Sequence, residues 1–282
     1  MLRLAIPNKG SLSEPAVAIL KAAGYAQRRE SRELVLVDPT AGVEFFYLRP
    51  RDVAVYVGAG TVDAGITGRD LLMDSGAAAT EALALGFGDS TFRFAAPPGL
   101  IDQVEQLQGQ RVATAYPGLV SGYLKNRRID AAVVRLDGAV ESAIQLGVAD
   151  AVADVVSTGT TLRAAGLTVF GESILDSEAI LIRRQAALSQ PDTFEVLLRR
   201  LQGVLVARRY VLMDYDVPID QVERAVSITP GLESPTVSPL HDKQWVAVRA
   251  MVPANATNEL MDRLYQVGAR AILITKILAC RL

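Results

Sequence analysis

The segment from residue 150 to 162 reads Asp150-Ala-Val-Ala-Asp154-Val-Val-Ser157-Thr158-Gly159-Thr160-Thr161-Leu162, and it joins a strand to a helix through a polar loop. An apolar, β-branched run ends on a carboxylate, hydroxyl side chains surround one glycine, and a helical pattern begins at Leu162. Backbone N–H groups at a helix start lack intrahelical partners, so such a loop can bind a phosphate. A carboxylate would repel a phosphate, and Asp154 therefore suits sugar hydroxyls. These features predict an α/β fold with a site for a phosphorylated sugar.

The same loop also has a simpler explanation. Ser and Thr often precede helices because their side chains cap free N–H groups. Short motifs also match by chance. The lysine of a Walker-type loop is absent, which argues against an ordinary P-loop nucleotidase. Taken alone, the loop leaves a capped helix and a phosphate site as open alternatives.

The composition is that of an ordinary globular protein. The length of 282 residues favours about two domains, and 50% of the residues are apolar. Lys and Arg total 29 against 31 for Asp and Glu, giving a net charge of −2, so nothing basic indicates nucleic acid or a membrane surface. The first residues do not resemble a signal peptide, and no apolar run is long enough to span a bilayer.

Cysteine and histidine each occur once, which limits the chemistry. Cys280 cannot form an intrachain disulfide, and we expect a cytoplasmic protein. His241 lies in a polar loop typical of a solvated turn. A histidine-rich zinc site is therefore excluded, and the setting of His241 argues against a Ser-His-Asp triad.

The first two thirds of the chain alternate strand and helix patterns, which predicts an α/β sheet. A weak internal similarity relates residues 60–68 to residues 147–155, because in both an Asp-Ala pair (Asp63, Asp150) follows a glycine and begins an apolar strand. Two equivalent lobes facing one cleft would explain it, since ligands of open α/β sheets bind at the carboxyl ends of strands. Chance similarity between short α/β units is the alternative.

The last part of the chain has a different order. Strand and helix patterns follow one another there as β-α-β-β-α-β, which is the order of a ferredoxin-like module. This module contains no evident acid–base set. We expect a small separate domain with a binding or regulatory role, with simple oligomerisation as the alternative.

Seven motifs in a fixed order carry a family resemblance. They are Ala5-Ile-Pro-Asn-Lys-Gly-Ser-Leu12, Phe45-Phe-Tyr-Leu-Arg-Pro50, Gly65-Ile-Thr-Gly-Arg-Asp-Leu71, Leu85-Gly-Phe-Gly-Asp-Ser-Thr-Phe-Arg93, Ala113-Thr-Ala-Tyr-Pro117, Arg135-Leu-Asp-Gly-Ala-Val-Glu141 and Val152-Ala-Asp-Val-Val-Ser-Thr-Gly-Thr-Thr-Leu162. Together they resemble the ATP phosphoribosyltransferase family. The segment Thr229-Pro-Gly-Leu-Glu-Ser-Pro-Thr-Val-Ser-Pro-Leu240 resembles the long form, which carries its own regulatory domain.

The resemblance implies a reaction, a fold and a domain division. ATP and 5-phosphoribosyl 1-diphosphate would give phosphoribosyl-ATP and diphosphate in the first step of histidine biosynthesis, with adenine N1 attacking the anomeric carbon. Mg²⁺ would be held mainly by the substrate diphosphate, and no protein nucleophile is expected. The expected fold is a two-lobed, periplasmic-binding-protein-like α/β region followed by the ferredoxin-like domain. Its parts are residues 1–90 with 184–209 as the first lobe, residues 91–183 as the second, and residues 210–282 as the regulatory domain.

The resemblance also assigns the substrate sites. Asp154 and Glu141 would bind ribose hydroxyls, although Glu141 could equally be a solvated helix acid. The residues expected at the 5-phosphate are Ser157, Thr158, Gly159, Thr160 and Thr161. The position of Thr160 is often basic in related sequences, so this loop departs from its relatives and a charge contact is expected to be missing.

Four further residues are candidates for binding ATP. Lys9 would meet phosphate, and Arg49 would pair with ATP phosphates or with an acid across the cleft. Asp70 is a candidate adenine or ribose contact, and Tyr116 could stack on the base. Surface exposure of Lys9, helix capping by Asp70 and ordinary packing of Tyr116 are the alternatives.

Regulation by histidine is a further implication of the resemblance. Free histidine would bind between neighbouring subunits and inhibit a homo-oligomer that forms dimers and hexamers, and AMP is an additional candidate inhibitor. The residues matching this site are Asp216, Leu232, Ser234, Thr236 and Ala250, with Asp216 pairing with a positive group of the ligand. Two other classes of protein are less well supported. A solute-binding protein would need a signal peptide, and the effector domain of a transcription regulator would be expected beside a helix-turn-helix segment, but the sequence shows neither.

Overall fold

The computed structural model describes residues 1–28, 33–156 and 159–281. The chain divides into two compact units. The first unit comprises residues 1–21 and 25–198, and the second comprises residues 22–24 and 199–282. Ser157 and Thr158, which the sequence places in the phosphate loop, lie outside the described residues.

The first unit alternates strands and helices. Its strands are β1 (Leu2–Pro7), β2 (Val35–Asp38), β3 (Val43–Leu48), β4 (Ala64–Gly68), β5 (Ala79–Ala84), β6 (Ser90–Ala96), β7 (Arg111–Thr114), β8 (Ala132–Arg135), β9 (Ala151–Val156), β10 (Thr168–Ser177) and β11 (Ala179–Arg184). Its helices are α1 (Ser13–Ala22), α2 (Pro50–Gly58), α3 (Arg69–Ser75), α4 (Pro117–Asn126), α5 (Ser142–Gln145) and α6 (Thr160–Ala164), with a 3₁₀ turn at Val104–Leu107. Helix α7 (Pro191–Arg209) contains residues of both units.

Two sheets make this unit a two-lobed α/β protein of the periplasmic-binding-protein type. The first lobe is the sheet β2-β3-β1-β4-β11-β5 with α1 to α3, and the second is the sheet β10-β6-β9-β7-β8 with α4 to α6. Strands β3, β1 and β4 are parallel in one, and β8, β7 and β9 are parallel in the other. The chain passes between the sheets twice, from β5 to β6 and from β10 to β11.

The lobe boundary differs from the sequence prediction at β11. The prediction extended the second lobe to residue 183, but Ala179–Arg183 pairs antiparallel with Ala64–Gly68 in the first sheet. Four consecutive apolar residues of β11 are fully buried there: Ala179, Ile180, Leu181 and Ile182. The chain therefore returns to the first lobe at Glu178, because this apolar run forms a buried strand between β4 and the edge strand β5.

The two lobes repeat one structural unit. Asp63 Oδ2 accepts a hydrogen bond from Arg3 N (3.0 Å) at the start of β1, beside β4. Asp150 Oδ2 accepts the same bond from Arg111 N (2.9 Å) at the start of β7, beside β9. The backbone N–H of each aspartate donates in return to the carbonyl of that arginine at 2.9 Å. This equivalence favours two related lobes over chance similarity between short segments.

The second unit has the ferredoxin-like order that the sequence predicts. Its strands are β12 (Tyr210–Pro218), β13 (Thr236–Pro239), β14 (Trp245–Pro253) and β15 (Arg270–Lys276), in the sheet order β13-β14-β12-β15. Its helices are α8 (Val222–Ile228) and α9 (Thr257–Gln266), with 3₁₀ turns at Ile219–Gln221 and Ala254–Ala256. Burial alternates along β12 and β14, so one sheet face packs under the helices. Within the described ranges, no helix is both long and apolar enough to cross a membrane.

Candidate active site

A cavity of about 370 Å³ lies between the two lobes. The first lobe lines it with the segments that follow β1, β3 and β4, and the second lobe contributes the ends of β7 and β9. The carboxyl ends of parallel strands are where open α/β sheets bind ligands. The lining residues are Gly10, Ser11, Leu12, Pro50, Gly68, Asp70, Leu71, Gly88, Asp89, Ser90, Tyr116, Val155, Ser177 and Glu178.

Asp70 lies in the first turn of α3 and is 7% exposed. Its Oδ1 accepts a hydrogen bond from Ser177 Oγ (3.0 Å), and its own N–H donates to the same Ser177 oxygen (3.0 Å). Ser177 ends β10, just before the chain returns to the first lobe. Sequence reasoning missed Ser177, because its partner is 107 positions away.

Arg69 connects the segments that pass between the lobes. Its guanidinium donates to Glu81 (2.9 and 2.8 Å) and to Glu178 (3.3 Å). Glu178 in turn accepts a bond from Gly86 N (2.9 Å), in the other connecting segment. Hydrogen bonding to Arg69 lowers the pKa of Glu81. The position of the neighbouring Asp70 is thereby fixed relative to both connections.

Tyr116 stands at the end of β7, immediately before α4. Its ring meets Phe92 edge-on (centroids 5.1 Å apart), and the Arg51 guanidinium lies 4.8 Å from its centroid. Burial raises the pKa of Tyr116, and the Asp70 and Asp154 carboxylates raise it further against the opposing charge of Arg51. The phenol therefore stays protonated and can donate a hydrogen bond. Tyr116 thus has charged neighbours in addition to its packing contact with Phe92.

Asp154 lies on β9 at the cleft, and its carboxylate accepts a hydrogen bond from Val155 N (2.7 Å). Burial raises the pKa of Asp154, the Val155 bond lowers it, and the Glu141 and Asp70 carboxylates raise it again. The structure thus brings together Asp70, Glu141 and Asp154, which the sequence separates widely. The result is a concentration of negative charge in the cleft.

Beyond the two residues outside the described ranges, the loop predicted to bind phosphate continues at Gly159. This residue has φ = 69°, a left-handed conformation that favours glycine, and it directly precedes α6. Thr160 and Thr161 are exposed in the first turn of that helix. Arg163 Nη2 lies 3.5 Å from Thr160 Oγ1, and a Cβ at Gly159 would lie 3.3 Å from Arg163 Nη1.

Arg163 is a cation that the sequence prediction missed. The sequence prediction expected a missing charge at Thr160, whereas Arg163 lies three residues further on and on the same helix face. The structure places the Arg163 guanidinium beside the loop at that position.

Lys9 and Arg49 frame the cavity without lining it. Both side chains are exposed, next to the lining residues Gly10 and Pro50. Neither cation forms an ion pair with any residue in the described ranges. Across the same ranges, no group of three or more His, Cys, Asp or Glu side chains is arranged to hold a metal ion.

The residues predicted to bind histidine lie on different segments of the second unit. Asp216 on β12 is half-buried and lies opposite Ala247 of β14. Thr236 on β13 is exposed and lies opposite Arg249, which pairs with Asp214 (2.6 Å). Leu232 and Ser234 fall in the segment between α8 and β13.

Ala250 differs from these residues. It is 2% exposed and lies opposite Met213 in the core under the helices, so its side chain does not share a sheet face with Asp216. On the sheet face that carries Asp216, Ala250 therefore presents only its backbone.

The fold and the cleft define a two-lobed α/β protein with a C-terminal ferredoxin-like module. The family profile described as ATP phosphoribosyltransferase matches residues 49–203, and the profile described as the HisG C-terminal domain matches residues 207–279. The chain belongs to the long form of the ATP phosphoribosyltransferase family of histidine biosynthesis, whose members are pentosyltransferases. The family resemblance drawn from the seven motifs is thereby confirmed.

Individual relatives are similar in sequence over the whole chain. The ATP phosphoribosyltransferase of Arthrobacter sp. (strain FB24) is 64% identical over 286 residues, and that of Streptomyces coelicolor is 63% identical over 285 residues. Both alignments cover 100% of each chain. Among solved structures, the ATP phosphoribosyl transferase (HisG:HisZ) complex from Thermotoga maritima is similar with a TM-score of 0.63 and 27% identity, covering 72% of this chain and 97% of that one.

Proposed function

We propose that this protein transfers the phosphoribosyl group of 5-phosphoribosyl 1-diphosphate to N1 of ATP, releasing phosphoribosyl-ATP and diphosphate. The observation that carries the proposal is the cavity between the lobes, where Asp70 and Tyr116 of opposite lobes meet next to Asp154. Two substrates held on opposite walls of one cleft can react with each other when the lobes orient them. The C1–diphosphate bond breaks, the C1–N1 bond forms, and diphosphate carries away the bonding electron pair.

The second lobe would bind the phosphoribosyl substrate. Asp154 and Glu141 accept hydrogen bonds from the ribose hydroxyls, which offsets the burial of the Asp154 carboxylate. The 5-phosphate lies against the Gly159 loop and the hydroxyls of Thr160 and Thr161. Arg163 supplies the positive charge that Thr160 does not, because its guanidinium lies beside that hydroxyl.

The first lobe and Tyr116 would bind ATP. The exposed cations of Lys9 and Arg49 lie at the edge of the cavity, where they can meet triphosphate oxygens. Asp70 and the protonated Tyr116 phenol offer an acceptor and a donor to the nucleoside. Catalysis then consists of positioning two anionic substrates and stabilising the leaving diphosphate, without a protein nucleophile.

Mg²⁺ fits this site as a companion of the substrate. The described residues form no ready-made cage of three or more ligands, yet the cleft concentrates carboxylate charge around Asp154. A magnesium ion carried on the diphosphate would offset that charge and the charge of the leaving group. Asp70, Glu141 and Asp154 are the residues that would face it.

Regulation is proposed to lie in the second unit. Free histidine would bind between neighbouring subunits through Asp216, Leu232, Ser234, Thr236 and the backbone at Ala250, and would inhibit the enzyme. The protein would assemble as dimers and hexamers whose proportions respond to histidine, and it would act in the cytoplasm, with AMP as a second candidate inhibitor. Two sites and two states are required for such allostery, and light scattering with and without histidine tests the assembly.

The decisive experiment is a diphosphate-release assay with ATP, 5-phosphoribosyl 1-diphosphate and Mg²⁺. We expect release only when both substrates are present, and a lower rate when histidine is added. Reactions that lack one substrate are the controls. No release above these controls would refute the transferase proposal, whereas release without any effect of histidine would refute only the regulatory part.

A further inference from the structure

Asp74 of the first lobe bonds to the start of a helix in the second lobe. It lies near the end of α3, and its side chain is 7% exposed. Its Oδ1 accepts hydrogen bonds from Gly118 N (2.8 Å) and Leu119 N (3.2 Å), in the first turn of α4. These N–H groups have no partner within α4, because the first turn of a helix leaves them free. The first lobe therefore supplies the cap of a second-lobe helix.

Arg51 binds the same region from α2. Its Nη1 donates to Asp74 Oδ2 (2.5 Å), and its Nη2 donates to the carbonyl oxygen of Ala115 (2.9 Å). The guanidinium also lies over the ring of Tyr116, 4.8 Å from the centroid. The segment from Ala115 to Leu119 is thus fixed at both ends by two side chains of the first lobe, and Tyr116 lies between them.

The close approach of α3 and α4 depends on Gly118. A Cβ at this position would collide with the backbone carbonyl oxygen of Asp74, a group that cannot move aside as a flexible side chain can. The lobes therefore meet here without an intervening side chain. This leaves the Asp74 carboxylate within reach of the α4 amides.

We propose that Arg51 and Asp74 are positioning residues that hold Tyr116 at the wall of the substrate cleft by fixing the start of α4 to the first lobe. The inference rests on the proposed function, in which Tyr116 contacts the nucleotide. It names a role for residues that do not themselves line the cavity. We call this pair of residues the Arg51–Asp74 contact.

The burial of the Asp74 carboxylate makes the Arg51–Asp74 contact sensitive to substitution of either residue. A buried carboxylate is costly unless it is fully paired, so removing Arg51 leaves Asp74 with an uncompensated charge. The Ala115 carbonyl would lose its bond to Arg51, and the Asp74 carboxylate that accepts from Gly118 N and Leu119 N would lose the cation that holds it in place. A shift of about 1 Å at a positioning residue can reduce turnover by roughly 10²-fold.

The test compares Arg51→Gln with the matched control Arg111→Gln. Both substitutions remove an Arg–Asp ion pair, but the Arg111–Asp150 pair (2.8 Å) lies within the second lobe at the far end of β7 from Tyr116. We expect Arg51→Gln to raise KM for ATP about 10-fold or more, with a smaller change in KM for 5-phosphoribosyl 1-diphosphate. The control should stay within about 2-fold of wild type in both constants. Arg51→Lys should recover part of the loss, because it keeps the charge beside Asp74.

Amide hydrogen exchange in the full-length protein supplies a second measurement that does not need turnover. We expect faster exchange at Gly118 and Leu119 in Arg51→Gln and in Asp74→Asn, but not in the control. Unchanged exchange in both variants, or unchanged KM and kcat with only a lower melting temperature, would overturn the positioning role. A wild-type enzyme without turnover would instead refute the proposed function, so the two failures can be told apart.

Discussion

Asp154 of the second lobe and Asp70 of the first are electrostatic neighbours across the cleft. Burial is the main cause that raises the pKa of Asp154, and the carboxylates of Glu141 and Asp70 raise it further. A carboxyl whose pKa is higher in the folded than in the unfolded state favours folding when protonated. Its ionised form therefore lowers the stability of the substrate-free protein as pH rises from 3.8, the ordinary Asp value, through the raised pKa.

The first prediction concerns stability at this position. Asp154→Asn replaces the ionisable carboxyl with a neutral amide. The variant should therefore melt at a higher temperature than wild type at pH 7. The difference should shrink as pH falls towards 4. Calorimetry across this range checks it, and a difference independent of pH would contradict the electrostatic explanation.

The same residue should show the opposite effect on activity. Asp154→Ala removes the proposed acceptor for the ribose hydroxyls, and we expect kcat/KM to fall by roughly 10²- to 10³-fold while the protein remains folded. Steady-state kinetics and circular dichroism measure the two properties. Normal kinetics in this variant would remove Asp154 from the ribose site.

Arg163 provides a prediction about the phosphate loop. Arg163→Gln should raise KM for 5-phosphoribosyl 1-diphosphate about 10-fold, because a charge-assisted contact of about 1.5–3 kcal/mol is lost. KM for ATP should change little, and Arg163→Lys should restore part of the affinity. Equal increases in both KM values would indicate a general structural effect.

A substitution at Asp216 tests the proposal that histidine binds to the second unit. Asp216→Ala should raise the inhibition constant for histidine about 10-fold or more, because a charge-assisted hydrogen bond to the ligand is lost. Asp220→Ala, at an exposed position on the following 3₁₀ turn, is the control. Histidine titration of the transferase rate distinguishes the two variants. The same inhibition constant in all three proteins would place the regulatory site elsewhere.

Tyr215 offers a stability prediction confined to the second unit. Its buried hydroxyl shares a hydrogen bond with Thr229 Oγ1 (2.8 Å), and Thr229 also donates to Ala225 O (3.2 Å). Tyr215→Phe removes one buried bond but leaves Thr229 with its second partner. We expect a loss of about 1 kcal/mol in the free energy of unfolding, measured by denaturant titration. A loss above about 3 kcal/mol would show that more than this bond has been removed.

Local patterns in the sequence predicted most of the strands, the ferredoxin-like order and a helix start after Gly159, but not β5 or β10. These features depend on short stretches of sequence, in which apolar periodicity and glycine positions can be recognised. The pairing of β11 with the first sheet could not be predicted from such local patterns. A buried strand that returns antiparallel to the first sheet has the same apolar pattern as one that stays in the second lobe.

Contacts between distant segments account for most of what the sequence did not reveal. Arg51 and Asp74 are 23 positions apart, and Asp74 and Gly118 are 44 apart. Their relation exists only once the two lobes are folded against each other.

The matching bonds of Asp63 and Asp150 have a consequence for the cleft at the opposite end of the sheets. Each bond fixes the alignment of two parallel strands, and a slip of one residue would turn every side chain of a strand to the other face. Asp150 directly precedes β9 and Asp154 lies four positions further on, so the face that Asp154 presents is set where the strand begins. Both walls of the cleft are thus aligned by the same kind of anchor, placed at the ends of the strands that face away from the cleft.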